Sequence, residues 1–105
     1  MNRNCNNKMN EIIEDIIPTK FELAQNYPNP FKEKTIIKYC LPEKMKVKLE
    51  VFGSKNRKVK VLFDEIKEAG AHKVEFNSNK LTNGEYIYKL ETKDFFDTKK
   101  MVLMK

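Results

Sequence analysis

The chain has 105 residues, 40% of them hydrophobic and 34% charged, with a formal net charge of +6. That length holds one domain with a thin core, and no stretch approaches the roughly 18 apolar residues that a membrane helix needs. The surplus charge falls in residues 21–105, because Arg3, Lys8 and Lys20 balance Glu11, Glu14 and Asp15 in the first twenty.

The N-terminal stretch MNRNCNNKMNEIIEDIIPTK lacks the apolar core of a secretory leader and carries three acids, so it does not read as a signal peptide. Ile12, Ile13, Ile16 and Ile17 stand at helical spacing, with Asn10 as an N-cap and Pro18 as a stop. About two turns of helix do not persist alone in water, so residues 1–20 are expected to form a tail or linker that adds little to folding. A docking helix for a partner is the alternative. Cys5 and Cys40 match neither a metal-ligand spacing nor a disulfide framework, which predicts two free thiols.

Residues 25–31 read QNYPNPF. Pro28 and Pro30 lack the N–H that a sheet ladder uses, and each pushes the residue before it out of the α region. The stretch is therefore expected to be a stiff loop whose Tyr27 and Phe31 plug one end of a core.

From residue 35 the pattern alternates with period two. TIIKYCL (35–41) sets Ile37, Tyr39 and Leu41 on one face, and KVKLEVF (46–52) sets Val47, Leu49 and Val51 inward. KVKVLF (58–63) repeats this with Val59, Val61 and Phe63, and HKVEF (72–76) with Val74 and Phe76. EYIYKLE (85–91) offers Tyr86, Tyr88 and Leu90, and TKKMVLM (98–104) offers Met101 and Leu103. Such runs, with charges on the opposite face, are half-buried antiparallel strands. Turn residues part them at 42–44, 53–56, 69–70, 83–84 and 93–94. LFDEIKEAG (62–70) has a helical reading ending at Gly70, but a strand to about Ile66 followed by a turn fits the short connections better. The fold class is all-β, an antiparallel sandwich of about seven strands.

Chemistry is sparse. His72 lies inside an alternating run and Ser54 and Ser78 fall in turns, so no nucleophile has a positioned base. Three glycines form no phosphate-cradling loop. No catalytic, metal-binding or cofactor-binding residue is assigned, and the chain does not read as an enzyme. Lys46, Lys48, Lys58, Lys60, Lys73 and Lys89 alternate with core residues and line outer sheet faces. A nucleic-acid reader of this type interleaves exposed aromatics with such lysines, and Phe52 alone does not make a platform. No nucleic-acid partner is expected, and the lysines also discourage edge-to-edge association, so a monomer is expected.

The order of these signals is more specific than any one of them. FELAQNYPNPF, TIIKYCLPE, VKLEVF, AGAHKVEFN, LTNGEYIYKLET and KKMVLMK follow one another from Phe21 to the end. The series resembles the C-terminal sorting domain of proteins exported by the type IX secretion system of Bacteroidetes and related bacteria. The resemblance covers residues 21–105 and leaves 1–20 as a tail. It implies an immunoglobulin-like sandwich and a sorting motif made of Gln25, Asn26, Tyr27, Pro28, Asn29, Pro30 and Phe31, then Leu81, Gly84, Tyr86, Tyr88 and Leu90, then Lys100, Met101, Val102, Leu103 and Lys105. Two departures stand out. The turn that the family brackets with Asp and Gly has Gly53 and Asn56 here, and the family's NPFNP reads NPFKE.

The resemblance further implies a non-catalytic address, read by the outer-membrane export machinery once the cargo is in the periplasm. A surface peptidase then removes it, and the cargo ends outside the cell or at its surface. Family members normally carry an export signal and a large cargo domain upstream. This chain shows neither, so it is expected to be the tail of a larger protein or a reading frame that kept only the tail. Two other readings stand beside this one. The sandwich also resembles the immunoglobulin-like module of flagellar hook-capping proteins, a scaffold, and its charge alone allows a basic β-module that binds acidic polymers.

Overall fold

A half-apolar strand must lay its inner face against another layer, and seven strands among the described residues make two sheets. The computed structural model describes residues 20–105. The strands are β1 (Glu22–Leu23), β2 (Lys34–Leu41), β3 (Met45–Phe52), β4 (Lys58–Lys67), β5 (Gly70–Asn77), β6 (Gly84–Glu91) and β7 (Phe96–Leu103). One sheet has the order β1–β2–β5 and the other β4–β3–β6–β7, with every strand pairing antiparallel. This is an immunoglobulin-like sandwich. Residues 62–67 are strand, not helix, as the short connections require. The two-residue β1, which pattern reading does not find, pairs Leu23 with Tyr39 and buries it.

The inner faces meet in one core. Ile37, Tyr39 and Leu41 of β2 face Val47, Leu49 and Val51 of β3, Tyr88 and Leu90 of β6, and Met101 and Leu103 of β7. Phe31 and Phe76 close one end edge to face, 6.1 Å between ring centres, and Phe21 stacks on Phe95 at 4.2 Å.

The inward set of β4 differs from the expected one. Val61 is 42% exposed, while Val59, Leu62 and Phe63 pack against the core. The cause is the β3–β4 register, which shifts between Leu49 and Glu50 and again between Val51 and Phe52. At each shift β4 carries an extra residue, first Leu62 and then Val59, and a bulge reverses the side to which its neighbours point. Val61 therefore lies opposite Glu50 on the outer face. At the 54–56 turn Asn56 is left-handed (φ 59), and so is Lys55 (φ 60), a residue less suited to it.

Glu50 is buried although it faces outward. Lys58 Nζ lies 2.9 Å from its carboxylate and Lys48 Nζ 3.7 Å. Burial alone would raise its pKa, but the Lys58 hydrogen bond and the charges of Lys48, Lys58 and Lys89 outweigh it and hold the carboxyl below its ordinary value. Cys40 is disulfide-bonded, which corrects the expected free thiol. Cys5, the isoleucine repeat and the expectation that the tail adds little to folding lie outside the described residues.

Truncating a fully buried leucine leaves a cavity. Leu49→Ala and Leu90→Ala should each lower unfolding stability by about 2–5 kcal/mol in denaturant titration. Val61→Ala, on the bulged outer face, should stay within about 0.5 kcal/mol of the parent. A large loss at Val61 would contradict the register described for β4.

Candidate functional site

Residues 25–31 cannot join a ladder throughout, so their polar groups must find partners elsewhere. Most of those partners lie on two strands from opposite sheets. On the β2 side, Tyr27 exchanges both main-chain bonds with Ile36, at 3.0 and 2.9 Å. On the β7 side, Phe31 donates its N–H to the Val102 carbonyl and accepts from the Met104 N–H, both at 2.9 Å, in a parallel bridge with Leu103. The loop thus closes one side of the sandwich and covers the edge of β7.

Side chains complete the closure. Asn26, 2% exposed, donates from Nδ2 to Thr35 Oγ1 (3.0 Å) and to the Pro28 carbonyl (3.1 Å). Thr35, wholly buried, donates its hydroxyl to the same carbonyl at 2.8 Å. Gln25 Nε2 donates to Asn26 Oδ1 (2.7 Å) and to the Lys100 carbonyl (2.6 Å). Asn29 Oδ1 accepts from the Val102 N–H at 2.9 Å. A buried amide with its donors filled fixes the loop's shape as well as its position.

The other expected residues gather around this seam. Tyr88, on β6, donates its hydroxyl to the Ala24 carbonyl at 2.6 Å. Tyr86 donates to the Thr82 carbonyl, four residues upstream, at 2.6 Å, the tyrosine corner of immunoglobulin-like sandwiches. Gly84 starts β6 with φ +149, a conformation open to glycine, and pairs with Leu103. Leu81 packs against the core. Lys105 is held twice, its N–H by Asn83 Oδ1 (2.8 Å) and its Nζ by the Asn79 carbonyl (2.9 Å). Lys100 sits 3.6 Å from Glu85.

These residues divide into two groups. Asn26, Phe31, Tyr86, Tyr88, Leu90, Met101 and Leu103 are buried and serve the fold. Gln25, Tyr27, Pro28, Asn29, Pro30, Lys100 and Lys105 are exposed, and Val102 is half-buried. Tyr27 is 80% exposed, so it is not the plug expected of it; Phe31 alone, 1% exposed, fills that place. Sequence reasoning missed Thr35, Asn79, Asn83 and Met104. Thr35 had one weak signal, its place at the start of an alternating run just beyond the loop.

Elsewhere the surface offers little chemistry. A cleft of about 610 Å³ at the far end, beside Phe21 and Met45, contains Lys46, Lys48, Asp64 and Glu91. Lys46 pairs with Asp64 and Lys48 with Glu91, so the cleft partly neutralises its own charges. His72 is a strand residue, stacked on Tyr39 and 2.7 Å from the Glu68 carbonyl. Among the described residues no group of three or more His, Cys, Asp or Glu could hold a metal ion.

Compared with known families, residues 25–104 match the model described as the secretion system C-terminal sorting domain. No curated protein and no solved structure matches the chain.

Two outcomes test the division between buried and exposed residues. Asn26→Leu takes a donor from both Thr35 Oγ1 and the Pro28 carbonyl and the acceptor from Gln25 Nε2, and should lower stability by about 1–3 kcal/mol, while Tyr27→Ala should leave the melting temperature nearly unchanged. Alkali gives the second. Burial, and then Glu65, pushes the Tyr39 hydroxyl up to about 12, and burial raises Tyr88 as well. A tyrosine whose folded pKa exceeds its unfolded value of about 10 stabilises fully below that pH and loses its contribution as pH rises through the folded value. The denaturant midpoint should therefore fall above about pH 10, and more gently in Tyr39→Phe.

Proposed function

Because the chain belongs to the family of secretion system C-terminal sorting domains, whose members are sorting signals for type IX secretion and not catalysts, we propose that residues 21–105 are the address carrying an attached cargo across the outer membrane to the cell surface. The partners of this reading are the outer-membrane export machinery, a surface peptidase that removes the address, and a cargo joined upstream. One observation supports it above the rest. The two stretches that mark the family, around residues 25–31 and 100–105, are far apart in sequence and bonded side by side in space.

That seam suits recognition by another protein. Its buried half is fully bonded, so the exposed half is presented in one shape and loses little freedom on binding. Tyr27, 80% exposed, and Met104, 57% exposed, are large side chains that the fold leaves uncovered, and Lys105 adds a fixed cation. Exposed aromatics on a rigid support are the usual anchors of protein contacts.

Fusion to an exported reporter in a bacterium with type IX secretion tests the reading. Residues 21–105 should move the reporter from the periplasm to the cell surface or medium. Removing Thr98–Lys105 should leave it in the periplasm, though that deletion also strips an edge from the core. Tyr27→Ala and the triple change Lys99→Gln, Lys100→Gln, Lys105→Gln keep the strands intact, and each should reduce export severalfold at unchanged melting temperature. Normal export by both folded variants would show that the machinery reads neither feature. Failure of the parent domain to export any reporter would put the scaffold reading first.

A further inference from the structure

Cys40 occupies an unusual place. Its neighbours Tyr39 and Leu41 point into the core, so alternation turns the Cys40 side chain to the outer face of the three-stranded sheet. On that face Lys38 and Ala71, the cross-strand neighbour of Cys40, are exposed. Cys40 is nevertheless 1% exposed, stands outside the core cluster and is disulfide-bonded. The sequence holds one other cysteine, Cys5.

We propose that Cys5 is the sulfur partner of Cys40. A bond between the Cys40 residues of two chains is the competing arrangement, and a sulfur this buried is poorly placed for it. Reach is no obstacle. The fourteen residues between Cys5 and Lys20 span up to about 50 Å when extended, and the longest dimension of the molecule is 41 Å. Lys20 itself lies two positions from Glu22, the β1 neighbour of Cys40.

The bond forms by thiol–disulfide exchange. The two cysteine thiols give two electrons and two protons to an external disulfide, whose own S–S bond breaks to release two thiols. A chain passing through the bacterial periplasm meets such an oxidant. That last point leans on the sorting reading; the pairing itself does not. Closing the chain between residues 5 and 40 restricts the unfolded state and so favours the folded one.

Peptide mapping tests this on the full chain after equilibration with oxidised glutathione. The sample is alkylated in denaturant without reductant and cut with trypsin. The expected product is Asn4–Lys8 linked to Tyr39–Lys44, separating on reduction. In Cys5→Ser, Cys40 should be alkylated, and the melting temperature should fall several degrees, to that of the reduced parent. Alkylation of both cysteines in the oxidised parent, or Tyr39–Lys44 linked to itself, overturns the proposal. So does a Cys5→Ser chain that melts with the oxidised parent. None of these readings depends on export, so the pairing can fail while the sorting function stands, and the reverse.

Discussion

Phe31 gives its N–H to Val102 and takes one from Met104, and through those two bonds a loop that no sheet could hold becomes the cover of one. The rest of the domain depends on this exchange. β7 ends its sheet with β6 on one side only, and an uncovered edge is a template for other chains. Phe31 also brings its ring to the end of the core, against Phe76. Asn26, Thr35 and Gln25 then hold the loop at the distance those bonds require.

On the sorting reading, the seam makes fold and recognition hard to separate. Residues expected to form the sorting motif are partly those that keep the loop on β7 and partly those that the loop leaves uncovered. Tyr86 and Tyr88 illustrate the first kind, each donating to a main-chain carbonyl that would otherwise lack a donor at the sandwich rim. Tyr27 illustrates the second. Its backbone is bonded to Ile36 while its ring stands in solvent, so the chain fixes where the ring is without using it. A partner binding there would meet a surface already ordered.

Much of the sandwich was legible because a half-buried strand repeats every two residues, and β2, β3, β6 and β7 obey that rule. β4 did not, although Val59, Val61 and Phe63 alternate without fault. A bulge is a property of a pair of strands, and nothing in one strand's pattern announces it. Tyr27 was misplaced for a related reason. An aromatic beside two prolines reads as a plug, and only the main-chain exchange with Ile36 decides which way it points. The residues expected to form a sorting motif were named by resemblance to a series of motifs. Which of them are buried was partly visible from alternation, whereas the role of Thr35 depends on a contact nine residues away with Asn26. Cys40 was misread because spacing rules for cysteines speak to frameworks and clusters, not to a single disulfide.

The bridge between Phe31 and Leu103 is parallel, whereas the pairings within the sheets are antiparallel. A cargo joined upstream, on the sorting reading, would pull on the loop from its N-terminal end, and a partner holding Lys105 would pull on β7 from its C-terminal end. With the strands parallel, those tensions run in opposite directions along the seam and load it in shear. The two main-chain bonds and the side-chain bonds of Gln25 and Asn29 are then strained together, not opened one at a time as in a zipper. The loop that hides an edge in the resting domain is, under tension applied at those two ends, the part that resists unfolding of the seam.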